Sequence, residues 1–383
     1  MVPVEEIIQG REIVICAGSG GVGKTTTSAA IALGMAARGL KVCVLTIDPA
    51  KRLADSLGLE ELGNEARRVE PKLLREQGVD VSGGGELWAM MLDAKETFDA
   101  LVARHAEDAE ARDRVLNNRI YQQISGALAG SQEYMAMEKL FELHSEGRFD
   151  LLVLDTPPSR NALDFLDAPK RLTQFIEGRS LQIFMRPTGL AARVASRGTG
   201  VVLSVLKRIV GFDLLADLSE FFSAFSGMID GFQDRAHRVS SLLSDEKTSF
   251  LVVCGPQGEP IDEAVFFHSK LVENGMHFGG VVINRVRYRL GTRQVKVNDL
   301  TGRIDSELGD EDLARRLART LAEYDVLAVR DQKNIEKLAK ALNGEPVIRV
   351  PYLDTDVHDI AGLGEINRYL FADEADRVEL ATG

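Results

Sequence analysis

Gly18-Ser19-Gly20-Gly21-Val22-Gly23-Lys24-Thr25 lies between an apolar run, Ile13-Val14-Ile15-Cys16-Ala17, and a stretch (26–38) rich in Ala, Ile, Leu and Met. The apolar run reads as a buried strand and the later stretch as a helix. The octapeptide follows G-x-x-x-x-G-K-[ST], the pattern of a phosphate-binding loop. Its glycines let main-chain N–H groups turn inward around phosphate oxygens, where a side chain would collide. Lys24 can reach β- and γ-phosphates, the Thr25 hydroxyl can ligate Mg²⁺, and the helix start adds partial positive charge. On this reading Gly18, Ser19, Gly20, Gly21, Val22, Gly23, Lys24, Thr25 and Thr26 line a nucleotide site.

Further apolar runs follow at 42–47, 87–92, 151–154, 250–254, 280–283 and 346–350, with helical patterns between them. Several are continuously apolar, as strands buried on both faces should be. The alternation predicts an α/β fold of the P-loop NTPase type, a mostly parallel, doubly wound sheet. Ligands of such sheets sit at the C-terminal ends of strands, so the residues just after each run are the informative ones.

The second run leads into Asp48-Pro49-Ala50. An Asp there can orient an attacking water or meet Mg²⁺ through water; it can also simply cap the next helix. The fourth run leads into Asp155-Thr156-Pro157-Pro158, with Arg160 just beyond. Its carboxylate is placed to hold the Mg²⁺ shell opposite Thr25, on a proline-stiffened loop suited to sensing a γ-phosphate. The run at 280–283 leads into Asn284, whose amide matches the edge of adenine or belongs to a turn. The last leads into Pro351, a weaker candidate for the other wall of a base pocket.

The 383 residues carry a net charge of −12, which argues against a nucleic-acid partner. Residues 170–212 run the other way, with eight basic side chains against one acid. Seven of the sixteen phenylalanines fall between Phe175 and Phe232, so this basic region also holds unusual apolar surface. No apolar stretch reaches a membrane span, and the first residues lack a signal-peptide pattern, so a cytoplasmic protein is expected. The three cysteines, Cys16, Cys43 and Cys254, all sit in apolar runs, and no C-x-x-C pair suggests a zinc clip. We divide the chain into core 1–93, a helical part 94–148, core 149–167 with the second switch, a Phe-rich basic helical insertion 168–245, and core 246–383. The charged stretch 303–330 reads as a solvated helix and its approach.

Taken together, the loop, Thr46-Ile47-Asp48-Pro49-Ala50, Asp155-Thr156-Pro157-Pro158 and Asn284 resemble the arsenite-pump ATPase family. That family includes the eukaryotic ATPase that targets tail-anchored membrane proteins. Met90-Met91-Leu92-Asp93 and Val357-His358-Asp359-Ile360 look like further family signposts, and the resemblance extends from about residue 10 to about residue 372. It implies an ATP- and Mg²⁺-dependent dimer with two facing sites. Lys24 would bind phosphates, Asp48 would position the water, and Asp155 would hold the metal shell with Thr25. Asn284 would read adenine. Asp48, Pro49, Asp155, Thr156, Pro157 and Arg160 would form the switches, and the insertion would hold a hydrophobic client or meet a membrane partner.

Two departures stand out. The family's loop usually carries a lysine where this chain has Ser19, and that lysine crosses the dimer to the partner's phosphates. Losing such a cationic contact costs on the order of 10²- to 10⁴-fold in rate. Turnover would then be slow, would use another cation such as Arg160, or would need a lysine-bearing paralogue in a heterodimer. A regulatory subunit with little turnover is the alternative reading. The family's metalloid-binding and zinc-binding cysteines are also missing, so arsenite is not an expected ligand.

Overall fold

The computed structural model describes residues 2–48, 51–81, 83–119, 121–122, 132–156, 166–168, 228–289 and 296–382. Pro49, Pro157, Arg160 and most of the Phe-rich basic segment lie outside the described residues.

Eight strands form one sheet in the order β3-β4-β2-β5-β1-β6-β7-β8. They are β1 (Ile13–Ala17), β2 (Lys41–Thr46), β3 (Arg67–Arg68), β4 (Glu86–Met91), β5 (Leu151–Asp155), β6 (Thr248–Cys254), β7 (Phe278–Val286) and β8 (Val347–Pro351). All neighbours are parallel except β3 and β4. Seven strands fall on the seven apolar runs. β3 was not foreseen: two arginines carry no hydrophobic signal, and they sit at the sheet edge, where charge discourages further pairing. Arg68 pairs with Glu86 on the neighbouring strand at 3.1 Å.

Alternate residues of β1 enter two separate cores, as the two-residue period of a strand requires. Val14 and Cys16 pack with α2 (Lys24–Ala37) and α12 (Ile360–Leu370) on one face. Ile13 and Ile15 pack on the other face, in a core shared with α5 (Ala94–His105), α7 (Gln132–Glu146), α8 (Ile229–Leu243), α9 (Gly258–Glu273) and α11 (Glu311–Ala341). This is the three-layer solution for a parallel sheet. Five shorter helices complete the description: α1 (Val4–Ile8), α3 (Arg52–Ser56), α4 (Pro71–Glu76), α6 (Ala109–Leu116) and α13 (Glu374–Thr382). A sixth, α10 (Val297–Leu308), packs against α11.

The charged stretch divides into two helices. α10 has no buried residue, as a solvated helix should. α11 instead buries Ala314, Ala318 and Ala328, and also the carboxylates of Asp325 and Asp331. Those acids are neutralised from β7 and its extension: Arg287 meets Asp331 at 3.2 Å and Arg289 meets Asp325 at 2.9 Å. Charge counting along the helix could not reveal partners 36 and 44 positions away.

The sheet order places β5 between β1 and β2. Register aligns Asp155 with Cys16 on one side and Thr46 on the other. The C-terminal ends of the three strands therefore meet directly below the loop that opens α2.

Candidate nucleotide site

Residues 18–23 turn from β1 into α2 without a side-chain cap; Gly23 occupies that position at φ 94°, in the left-handed region. A side chain on Gly23 would place Cβ 2.3 Å from Asn284 Nδ2. Gly18 is equally constrained, because its Cβ would stand 2.0 Å from the Val253 carbonyl oxygen of β6. The loop is thus pressed against β6 on one side and β7 on the other.

Lys24 begins α2 and is buried, and its Nζ donates to the Ser19 carbonyl at 2.8 Å. Burial lowers its pKa, and the carboxylates of Asp155 and Asp48 oppose that effect. The ammonium thus stands within the field of both acids that the sequence singles out.

Asp155 lies at the bottom of the site, 1 % exposed. Its Oδ2 accepts hydrogen bonds from the hydroxyls of Thr25 at 2.7 Å and Thr46 at 2.8 Å. Its Oδ1 is buried without a hydrogen-bond partner among the described residues. Desolvation raises the carboxyl pKa to about 6, although Thr25, Thr46 and Lys24 all favour the anion. A buried, half-satisfied carboxylate beside a threonine hydroxyl is a hard oxygen donor set, which suits Mg²⁺. Thr46 also accepts the Asp48 N–H at 3.2 Å, which links the two acids through one hydroxyl. Thr156 donates both its N–H and its hydroxyl to the Cys16 carbonyl, at 3.2 and 2.9 Å, so the start of the second switch is fastened to β1.

Two clefts open here. One, of about 550 Å³, is lined by Gly20, Gly21, Lys24, Asp48, Arg52 and His358, among others. The second, of about 580 Å³, lies between Asn284 and the segment from Pro351 to Val357. They share Gly23, Thr26, Arg285 and Val357, and their sizes are those of small-ligand sites. The first has the backbone amides and cation for a triphosphate; the second has room for a base.

Asn284 and Pro351 both line the second cleft. The Asn284 amide is already engaged: Nδ2 donates to the Val22 carbonyl at 3.0 Å, and Oδ1 accepts the Arg285 N–H at 2.9 Å. It ties β7 to the phosphate loop. Tyr352, which follows Pro351, lines the second cleft and His358 of the second signpost lines the first, while Arg52 and Arg285 border the clefts without a recognisable pattern in the sequence. The signposts have local roles as well. Asp93 caps α5 by accepting the Glu96 N–H at 2.8 Å, and Asp359 caps α12 by accepting the Gly362 N–H at 2.8 Å.

The sheet, loop and paired acids define a P-loop nucleoside-triphosphatase architecture. Residues 11–289 match the family model described as anion-transporting ATPase. The chain belongs to that family, and it is an ATPase. It is similar to "ATPase GET3" of Malassezia globosa, 27 % identical over 281 residues that cover 72 % of each chain. It also resembles "Putative arsenical pump-driving ATPase 1" of Aquifex aeolicus, 23 % identical over 364 residues, 94 % of this chain and 79 % of the relative. A third relative is "ATPase ARSA2" of Chlamydomonas reinhardtii, 25 % identical over 295 residues, 74 % of this chain and 70 % of the relative.

Proposed function

We propose that the chain is a Mg²⁺-ATP-dependent dimeric switch whose hydrolysis cycle controls its grip on a hydrophobic client or membrane partner. The observation that carries this reading is the junction of the two clefts over Lys24, Asp48 and the Thr25–Asp155 pair. The base would enter beside Asn284 and Pro351, and the triphosphate would lie against the amides of residues 19–26. Lys24 would move from the Ser19 carbonyl onto phosphate. Thr25 and Asp155 would hold Mg²⁺, which neutralises phosphate charge when bound. Asp48 would orient the attacking water and accept its proton. Each acid begins a segment, at 48–50 and 155–160, that can tighten around a γ-phosphate and relax after its release.

The family and the Phe-rich, basic composition of the insertion support a client or membrane partner. Among the described residues no helix is long and apolar enough to cross a membrane. We place the protein in the cytoplasm, peripheral to a membrane at most. Arsenite is a poor fit. All three cysteines are buried in strands, and burial pushes their thiols up to about 12, so they stay protonated and enclosed.

Steady-state hydrolysis tests the reading. Asp48→Asn should lower kcat by about 10²-fold or more while ATP still binds. Lys24→Ala should weaken both binding and turnover. A labelled apolar helix peptide should bind the ATP-locked Asp48→Asn protein and the ADP form with different affinity; equal affinity would remove the client role. Ser19 favours a second reading, a nucleotide-binding subunit that turns over only beside a lysine-bearing paralogue. Robust hydrolysis by the isolated chain, abolished in Asp48→Asn, would eliminate it.

A further inference from the structure

The positive charge that Ser19 cannot supply is available from Arg285, at the seam of the two clefts. Arg285 follows Asn284 near the C-terminal end of β7 and adopts φ +61°. The left-handed region is costly for any residue that carries a Cβ, arginine included. The strained backbone is held by its own N–H on Asn284 Oδ1 and by Asn284 Nδ2 on the loop carbonyl of Val22. This bend turns the side chain off the strand and toward the phosphate loop. Nη1 donates to the Gly21 carbonyl at 3.4 Å, a long and weak bond.

The arginines that follow are committed elsewhere. Arg287 is paired with buried Asp331, and Arg289 with buried Asp325. Arg285 has no carboxylate partner among the described residues and is exposed to solvent. Among the described residues, the basic side chains that line the phosphate cleft are Lys24, Arg52, Arg285 and His358. Of these four described residues, Arg285 alone also lines the base cleft. A planar fork held loosely by a neutral carbonyl, between a base site and a phosphate site, matches a phosphate oxygen better than its present partner.

We propose that Arg285 clamps the polyphosphate of the bound nucleotide from within the same chain. Its guanidinium leaves the Gly21 carbonyl and bridges the space between base and phosphates. It supplies the cationic contact that a facing subunit's lysine provides elsewhere, so this chain does not depend on such a partner for affinity. The proposal rests on the reading that ATP occupies the two clefts.

Calorimetric titration with Mg²⁺-ATP, ADP and adenosine separates the outcomes, using the full chain, Arg285→Gly, Arg285→Lys and Lys24→Ala. Glycine accepts φ +61° without strain, so Arg285→Gly removes the guanidinium while easing the backbone. The expected result is a loss of about 10- to 100-fold in ATP and ADP affinity with adenosine binding unchanged. Arg285→Lys should retain part of that affinity, and the salt dependence of binding should flatten in Arg285→Gly. Parental ATP affinity in Arg285→Gly, with Lys24→Ala impaired, would overturn the clamp and leave the nucleotide reading intact. So would an equal loss for ATP and adenosine, which would mark a structural role. If the unmodified chain takes up no adenine nucleotide, both readings fall together.

Discussion

Asp155 shows how one side chain can be poised at a cost. It gives one oxygen to two threonine hydroxyls and leaves the other buried without a hydrogen-bond partner among the described residues. Its carboxyl titrates at about 6 in the fold against 3.8 for an unperturbed group. The folded value is the higher, so the fold holds the proton longer than the unfolded chain does. Stability is therefore greatest below the unfolded value and falls as pH rises through the folded one, by on the order of 3 kcal/mol. Asp155→Asn should accordingly raise the melting temperature of the nucleotide-free protein at pH 7.5, and the gain should shrink as pH falls toward 5. The same variant should lose Mg²⁺-dependent ATP binding. Calorimetric melting across pH, with and without Mg²⁺-ATP, checks both effects. Gly23 is constrained differently. Gly23→Ala should cost about 1–3 kcal/mol and at least ~10-fold in ATP affinity, because its Cβ meets the Asn284 amide and its φ is left-handed. Unfolding in denaturant and a binding titration provide the readouts.

Among the elements, α11 fastens the segment that follows β7. Arg287 and Arg289 follow the strand that presents Asn284 and Arg285, and both arginines are held by carboxylates buried on α11. Removing one partner strands a charge in a poorly solvated setting. Asp331→Ala should therefore destabilise the protein by about 3 kcal/mol. It should also weaken nucleotide binding through the displaced end of β7. Pairing Asp331→Leu with Arg287→Met should restore most of the stability, since the cost lies in the orphaned charge and not in lost attraction. A double-mutant cycle by urea unfolding measures this directly; an undiminished penalty in the double variant would show that the helix needs the acid for another reason.

For the whole molecule, the open question is whether one chain carries a complete set of catalytic charges. Lys24 stands in the field of Asp48 and Asp155 beside one cleft, yet the loop position at which the resemblance calls for a second lysine holds Ser19. If the chain pairs with itself, Ser19→Lys should raise steady-state hydrolysis by roughly 10²-fold, the effect of one added donor at developing phosphate charge. The gain should depend on protein concentration and coincide with ATP-dependent dimers in light scattering. An unchanged rate would mean that the facing geometry is not formed by two copies of this chain.

The glycine-rich turn between β1 and α2, the seven strands of the parallel sheet, and the positions of Asp48 and Asp155 at strand ends were legible along the chain. Each is written in contiguous residues: glycine spacing, apolar runs of strand length, and an acid immediately after such a run. The two-arginine edge strand was not legible, because it carries no hydrophobic period. Nor were the contacts of Asn284 and Arg285 with the loop, or of Asp325 and Asp331 on α11 with the arginines after β7. Asn284 reaches Val22 across 262 positions and Arg285 reaches Gly21 across 264, contacts that exist only because β7 packs two strands away from β1. Local patterns record the preferences of neighbours in sequence. Which side chain is left unpaired and which is neutralised depends on packing between distant segments, and here that packing singles out Arg285.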